Sequence, residues 1–412
     1  MEEKKLVPKL RFPGFTEPWE QRKLSDILVE RNEQQVETSE YPLMSFVQGI
    51  GVTPKGERYD RSFLVLDQSK KYKRTELGDF IYSSNNLETG SIGINKTGKA
   101  VISPVYSIFY GVSIGDSEFI GIMSLLPGFI AKMIRFRKGV VYGQWRIHEK
   151  DFLDISVSIP SVDERTKITK LILSIEELIT LHQRKLEHLK LKKKSLLQKL
   201  FPKEGEVYPE LRFPGFTDPW EQRKLNDFGI ATGGTSIESE FVDGGSYKVI
   251  SIGSYSEESV YNDQGLRVNK TEKTKSRVLA KDDLTIILND KTSSGNIIGR
   301  VLLIDQDNTY VYNQRTERIE VDTKNFLPMF LYHMLNAPEQ RKYIVKASQG
   351  NTQIYVNWST ISNINYMIPT LLSEQEKIAY LFSLINKDIT LHQRKLEHLQ
   401  LLKKALLQQL FV

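Results

Sequence analysis

The sequence predicts an α+β fold built twice: two mixed α/β heads in pseudo-two-fold relation, each followed by a long helix. Three observations carry this. LRFPGFTEPWEQRKL at residues 10–24 returns as LRFPGFTDPWEQRKL at 211–225, differing only at Glu17 and Asp218. ITLHQRKLEHLKLKKKSLLQKLF at 179–201 returns as ITLHQRKLEHLQLLKKALLQQLF at 389–411, with 19 of 23 positions identical. The segments between these blocks alternate short apolar runs with Gly, Asn and Ser, the pattern of strands and turns. The blocks repeat at offsets of 201 and 210, so the second middle segment is nine residues longer.

A chain of 412 residues with 40% apolar and 10% aromatic content builds two to four packed domains and is not a disordered polymer. It has no cysteine, which excludes disulfides, thiolate chemistry and Cys-ligated metal sites. MEEKKLVPK at the start offers no apolar core for a signal peptide. The longest greasy stretch, FIGIMSLLPGFIAKMI at 119–134, is too short to span a bilayer and is broken by Pro127, Gly128 and Lys132. The expectation is a soluble, cytoplasmic protein with no membrane partner. A net charge of +6 and pI near 9 suit an anionic partner without requiring one.

Each element follows from its residues. The LRFPGF arm sets a Pro-Gly turn between aromatics. Its Phe12, Phe15 and Trp19, matched by Phe213, Phe216 and Trp220, suit an element that docks a head against a helix end. The middles keep a common frame, with a basic run (KKYKR at 70–74, KTEKTKSR at 270–277), then a strand, then a Gly-bounded turn. The tails step by four and three: Ile168, Ile172, Ile175, Ile179, His182, Leu186, Leu189, Lys193, Leu196, Leu200, and from Ile378, Phe382, Ile385, Ile389, His392, Leu396, Leu399, Lys403, Leu406, Leu410. This is a heptad seam, and two such seams in one chain most simply bury each other. His182 and His392 either fix register within it or face the heads. Pro160 and Ser161 start the first helix, and Ser373-Glu-Gln-Glu376 reads as a capping box for the second. Pro202 stops the first helix. The domains expected are a first head over 1–160, a helix over 161–201, linker and second head over 202–372, and a helix over 373–412.

No catalytic apparatus is legible. GINKTGKA at 93–100 is one residue from a phosphate-binding loop, but Ala100 replaces the hydroxyl residue and VISPVYSIF reads as strand, so a β-hairpin is expected. His182 and His188, like His392 and His398, are six apart and cannot form one helical metal pair. No G-x-S-x-G, H-E-x-x-H or Asn-Pro-Pro-aromatic motif is present; the last is the signature of DNA amino-methyltransferases. The middles instead cluster side chains that match base edges and phosphates. In the first these are Lys70, Lys71, Lys73, Arg74, Asn85, Asn86, Lys96, Gln144 and Arg146; in the second, Lys270, Lys273, Lys275, Arg277, Asn289, Lys291, Gln349, Asn351 and Gln353. Singly each reads as a solvated loop residue. As clusters recurring in both halves they point to DNA. KLKKK at 190–194 reads as a solvated or partner-binding helix face.

The twinned arms, both ITLHQRKLEHL tails, IPSVDERTKI at 159–168, IPTLLSEQEKIA at 368–379 and TGGTSIESEFVDGGSYKVIS at 232–251 together resemble the specificity subunit of type I restriction-modification systems, over essentially the whole chain. The resemblance implies that each head is a target recognition domain reading half of an asymmetric bipartite DNA site, and it adds Thr235 and Ser236 to the contact candidates. It implies two conserved helices packed as an antiparallel coiled-coil pair. Two modification subunits, which bind S-adenosylmethionine and methylate adenine, and restriction subunits, which use ATP and magnesium, are the expected partners. This chain itself is expected to hold no cofactor, no metal and no chemistry. The arms could also serve the modification subunits. The competing reading is a coiled-coil interaction scaffold with no sequence-specific readout.

Overall fold

The computed structural model describes residues 6–47, 49–54, 69–87, 91–138 and 146–412. It falls into two compact units. One holds the residues up to Gln183 together with Arg394–Val412; the other is Arg184–Gln393. Each long helix is thus divided between them: Val162–Lys199 and Leu372–Gln409, of 38 residues each.

The EQRK of each repeated arm forms a strand that pairs antiparallel with the strand just before a long helix. Glu20–Lys23 pairs with Ser156–Ile159, and Glu221–Lys224 with Asn365–Ile368. The heads share one four-stranded sheet order. In the first unit it runs Leu28–Glu30, Ser107–Gly111, Phe80–Tyr82, Ile92–Ile94. In the second it runs Gly229–Gly233, Thr316–Val321, Leu284–Ile287, Val301–Leu303. Each sheet is followed by two short helices. Asp116–Met123 and Pro127–Ile134 bend by 93° at Ser124–Leu126, so the greasy stretch is folded against its own head. Among the described residues no single helix is long and apolar enough to cross a membrane.

In the first unit the start of the first long helix lies beside the end of the second. Ile168 and Ile172 share a core with Leu410 and Phe411. In the second unit the end of the first helix meets the start of the second, through Leu200, Phe201, Ile378 and Phe382. The helices therefore run antiparallel in both units. Of the seam positions, Ile175, Leu189, Ile385 and Leu399 are buried, and Ile179, His182, Leu186, Ile389, His392 and Leu396 are half-buried. Leu181, Leu191, Leu391 and Leu401 stand exposed on the outer face.

The arms bridge two helix ends at once. Leu10 donates its N–H to the carbonyl of Gln409 at 2.9 Å, while Arg11 makes a two-pronged contact with Glu164 in the first turn of the other helix. Leu211 bonds likewise to Lys199 at 2.8 Å and Arg212 to Glu374. Trp19 packs edge-on against Phe411 at 5.9 Å, and Trp220 against Phe201 at 6.3 Å. Lys167 lies over Phe15 and Lys377 over Phe216, each 4.8 Å from the ring centre.

Two expectations require correction. The second long helix begins at Leu372, so Ser373 lies inside its first turn and caps nothing. Tertiary partners have taken the box: Glu374 is held by Arg212, and Gln375 accepts from the N–H of Leu327 at 2.8 Å. GINKTGKA is not a hairpin. Ile92–Ile94 and Ala100–Ile102 belong to different sheets, and the Asn95 side chain caps the turn between them by accepting from Thr97 and Gly98.

Candidate nucleic-acid interface

In the second head, the strand Gly229–Gly233 ends in Gly233-Gly234-Thr235 because no larger residue fits. A Cβ on Gly234 would lie 1.8 Å from the carbonyl oxygen of Asn313. This close approach puts Thr235 beside Asn313. Arg277 then reaches over, donating to Thr235 Oγ1 at 3.4 Å and to the Tyr312 hydroxyl at 3.3 Å. Ser236 is exposed and donates to Glu238. The one-turn helix Glu272–Lys275, capped by Thr271, carries Lys273 and Lys275 outward, and Lys270 precedes it, also exposed. Lys273 bonds Ser239 at 3.2 Å.

A second polar group continues from the first through the backbone. Arg315 takes its N–H to Asn313 Oδ1 and gives its carbonyl to Leu288, the neighbour of Asn289. Asn289 pairs with Tyr355, and Gln349 exchanges both backbone bonds with Tyr355 at 2.9 Å. Gly350, at φ +105°, makes this turn possible; a Cβ there would meet Gln353 O at 2.1 Å. Lys291, Gln349, Asn351, Gln353 and Tyr355 are exposed. A relay of backbone bonds therefore links Thr235 and Arg277 to Asn289 and Gln349, although 114 positions separate Thr235 from Gln349 in sequence.

The first head assembles fewer of its candidates. Lys70 and Lys71 are exposed, Lys70 lying 5.7 Å from the ring centre of Tyr72. Asn85 is exposed in the turn Ser84–Asn86, and Ser84 fixes that turn against Ile147, next to Arg146. Asn85 and Arg146 are thus brought together, with Asn86 placed in the same turn by its backbone. Three other candidates face elsewhere. Lys73 is 7% exposed and lies 3.8 Å from Glu149, within the mostly buried strand Tyr72–Thr75. Arg74 is held between Glu33 and Glu76 above the Tyr41 ring. Lys96 pairs with Glu176 on the first long helix, which also takes Lys403 at 2.7 Å. Gln144 lies outside the described residues.

One residue escapes a search by motif. Glu317, opposite Gly233 in the sheet ladder, is 6% exposed, and burial pushes its carboxyl up to about 7, opposed by Arg277. Its sequence context, RTERIE, reads as an exposed strand, so nothing in the sequence marks it. Among the described residues no cluster of His, Asp or Glu is arranged to hold a metal.

Residues 217–401 match the family described as "Type I restriction modification DNA specificity domain". The chain is 25% identical over 268 residues to the type I restriction enzyme MjaVIII specificity subunit of Methanocaldococcus jannaschii, covering 63% of this chain and 62% of that protein. The match thus spans less than two thirds of that relative's length. The crystal structure of the S subunit of a type I restriction-modification system from M. genitalium superposes with a TM-score of 0.61 at 14% identity, over 98% of this chain and 99% of that one. At that identity the likeness shows the fold.

Proposed function

We infer that this chain belongs to the type I restriction-modification DNA specificity subunits, and we read its role from that family. We propose that its two heads each read one half of an asymmetric bipartite duplex and that the chain directs adenine methylation and restriction by partner subunits. The observation that carries this reading is the linked set of polar side chains in the second head, Arg277, Thr235, Asn289 and Gln349, in a head whose Lys270, Lys273, Lys275 and Lys291 are exposed. The divergence of the two middles, set between nearly identical arms and tails, supports two unlike half-sites. A helix of 38 residues is ~57 Å long, more than one ~34–36 Å turn of B-DNA, which supports a gap between them. Two modification subunits and the restriction subunits bring S-adenosylmethionine, ATP and magnesium; this chain contributes the address.

The test is selection from a randomised duplex pool by the chain co-purified with its modification partner. A two-part consensus is expected. Removing the charges of Lys70, Lys71, Lys270, Lys273 and Lys275 weakens binding to all duplexes alike and flattens its salt dependence. Binding that ignores sequence, or that ignores these lysines, returns the chain to the scaffold reading.

A further inference from the structure

The Glu317 side chain is mostly buried and accepts no side-chain hydrogen bond. It stands on Thr316–Val321 between Gly233 and Ile286, and the influences on its carboxyl are burial and the field of Arg277, with no hydrogen bond among them. A buried carboxylate in that condition costs the fold stability, and a donor arriving from outside relieves the cost.

The surroundings leave a way in. Gly233 is exposed and has no side chain, and a Cβ placed there would lie 3.3 Å from Glu317 Oε2. Any other residue would stand over the carboxylate. Arg277 is anchored by its bonds to Thr235 and Tyr312 and so presents donors beside this acceptor. A fixed acceptor next to fixed donors is the arrangement that distinguishes base pairs in the major groove, where a carboxylate accepts from an exocyclic amino group.

We propose that Glu317 is a specificity-determining residue of the second head, accepting a hydrogen bond from the exocyclic amino group of one base in that head's half-site. This rests on the reading of the head as a base-reading module and goes beyond it by assigning an acceptor to a single position. Arg277 is the positioning partner that keeps the mouth of the site polar.

The experiment repeats the duplex selection with E317A and the similarly sized E317M, neither of which offers an oxygen acceptor, in the same complex, and records the melting temperature of each. The expected result is a consensus unchanged except at one base pair of one half-site. There the preference for the amino-bearing base falls by about 5- to 150-fold. The identity of that base distinguishes cytosine from adenine. The melting temperature stays level or rises, because an unpaired, mostly buried carboxyl has gone. An identical consensus in both variants overturns the proposal. So does a half-site that flattens at every position together with a lower melting temperature, which marks a structural residue. A wild-type complex that selects no sequence removes the underlying reading instead.

Discussion

The guanidinium of Arg11 grips the carboxylate of Glu164 with two parallel hydrogen bonds, 2.9 Å from Nε and 2.7 Å from Nη2, across 153 residues of chain. Arg212 and Glu374 repeat the arrangement at 2.8 Å and 2.8 Å across 162 residues. The nine-residue difference between the halves is absorbed in the heads and leaves this joint unchanged.

Each joint buries its acid almost completely, with side-chain exposures of 1% for Glu164 and 2% for Glu374. R11A and R212A therefore strand a buried carboxylate and are expected to destabilise their units by ~3–5 kcal/mol, read from urea midpoints. R11K and R212K lose the planar fork and recover only part of this. A loss below ~1 kcal/mol refutes a structural role for the joint.

Phe411 and Phe201 fill equivalent sites beneath Trp19 and Trp220. F411A and F201A are each expected to cost ~3–5 kcal/mol by leaving a cavity under the indole. The indole emission of the affected unit should shift to the red.

His333 is 2% exposed and packed on Phe382, 4.7 Å between ring centres, beside Tyr332. Burial, reinforced by the nearby Lys193 ammonium, pushes it down to about 3. Folded protein thus carries neutral imidazole while the unfolded chain takes up a proton near the ordinary value of ~6.5. Stability is full above that value and falls as pH drops toward 3, by up to ~1.4 kcal/mol per pH unit. H333F is expected to flatten that limb of the curve. A wild-type curve no steeper than the variant's contradicts the assignment.

The basic run at 70–74 divides in two. K70A with K71A should leave stability within ~0.5 kcal/mol while lowering DNA affinity, since both side chains face solvent. K73A should do the reverse, costing ~1–3 kcal/mol through Glu149. Calorimetry and a binding titration on the same samples separate the two effects.

The long helices, the arms and the two-fold plan are legible in the sequence because repetition and heptad spacing are local signals, written in neighbouring letters. The site is less so. Lys73 and Lys70 look alike in KKYKR, but Lys73 lies within the strand Tyr72–Thr75 beside Glu149, and Lys70 precedes that strand. Lys96 sits in a polar turn, yet its direction is decided by Glu176, eighty residues on. The second tail has Asn386 where the first has Glu176, so Lys193 has no equivalent acid on that helix and burial lowers its basicity. Glu317 is hidden for a further reason: access to its carboxylate depends on the side chain that Gly233, opposite it, lacks.

The fastening of Leu10 to Gln409 has a consequence for how the protein is made. The second unit is one uninterrupted segment, Arg184–Gln393, whereas the first needs Arg394–Val412 to close its core. During translation the earlier half is therefore left open while the intervening 210 residues are added, about 10–40 s at ~5–20 residues per second. Through that interval the nascent first unit exposes the apolar seat of Phe411, and it matures after the unit that was synthesised later.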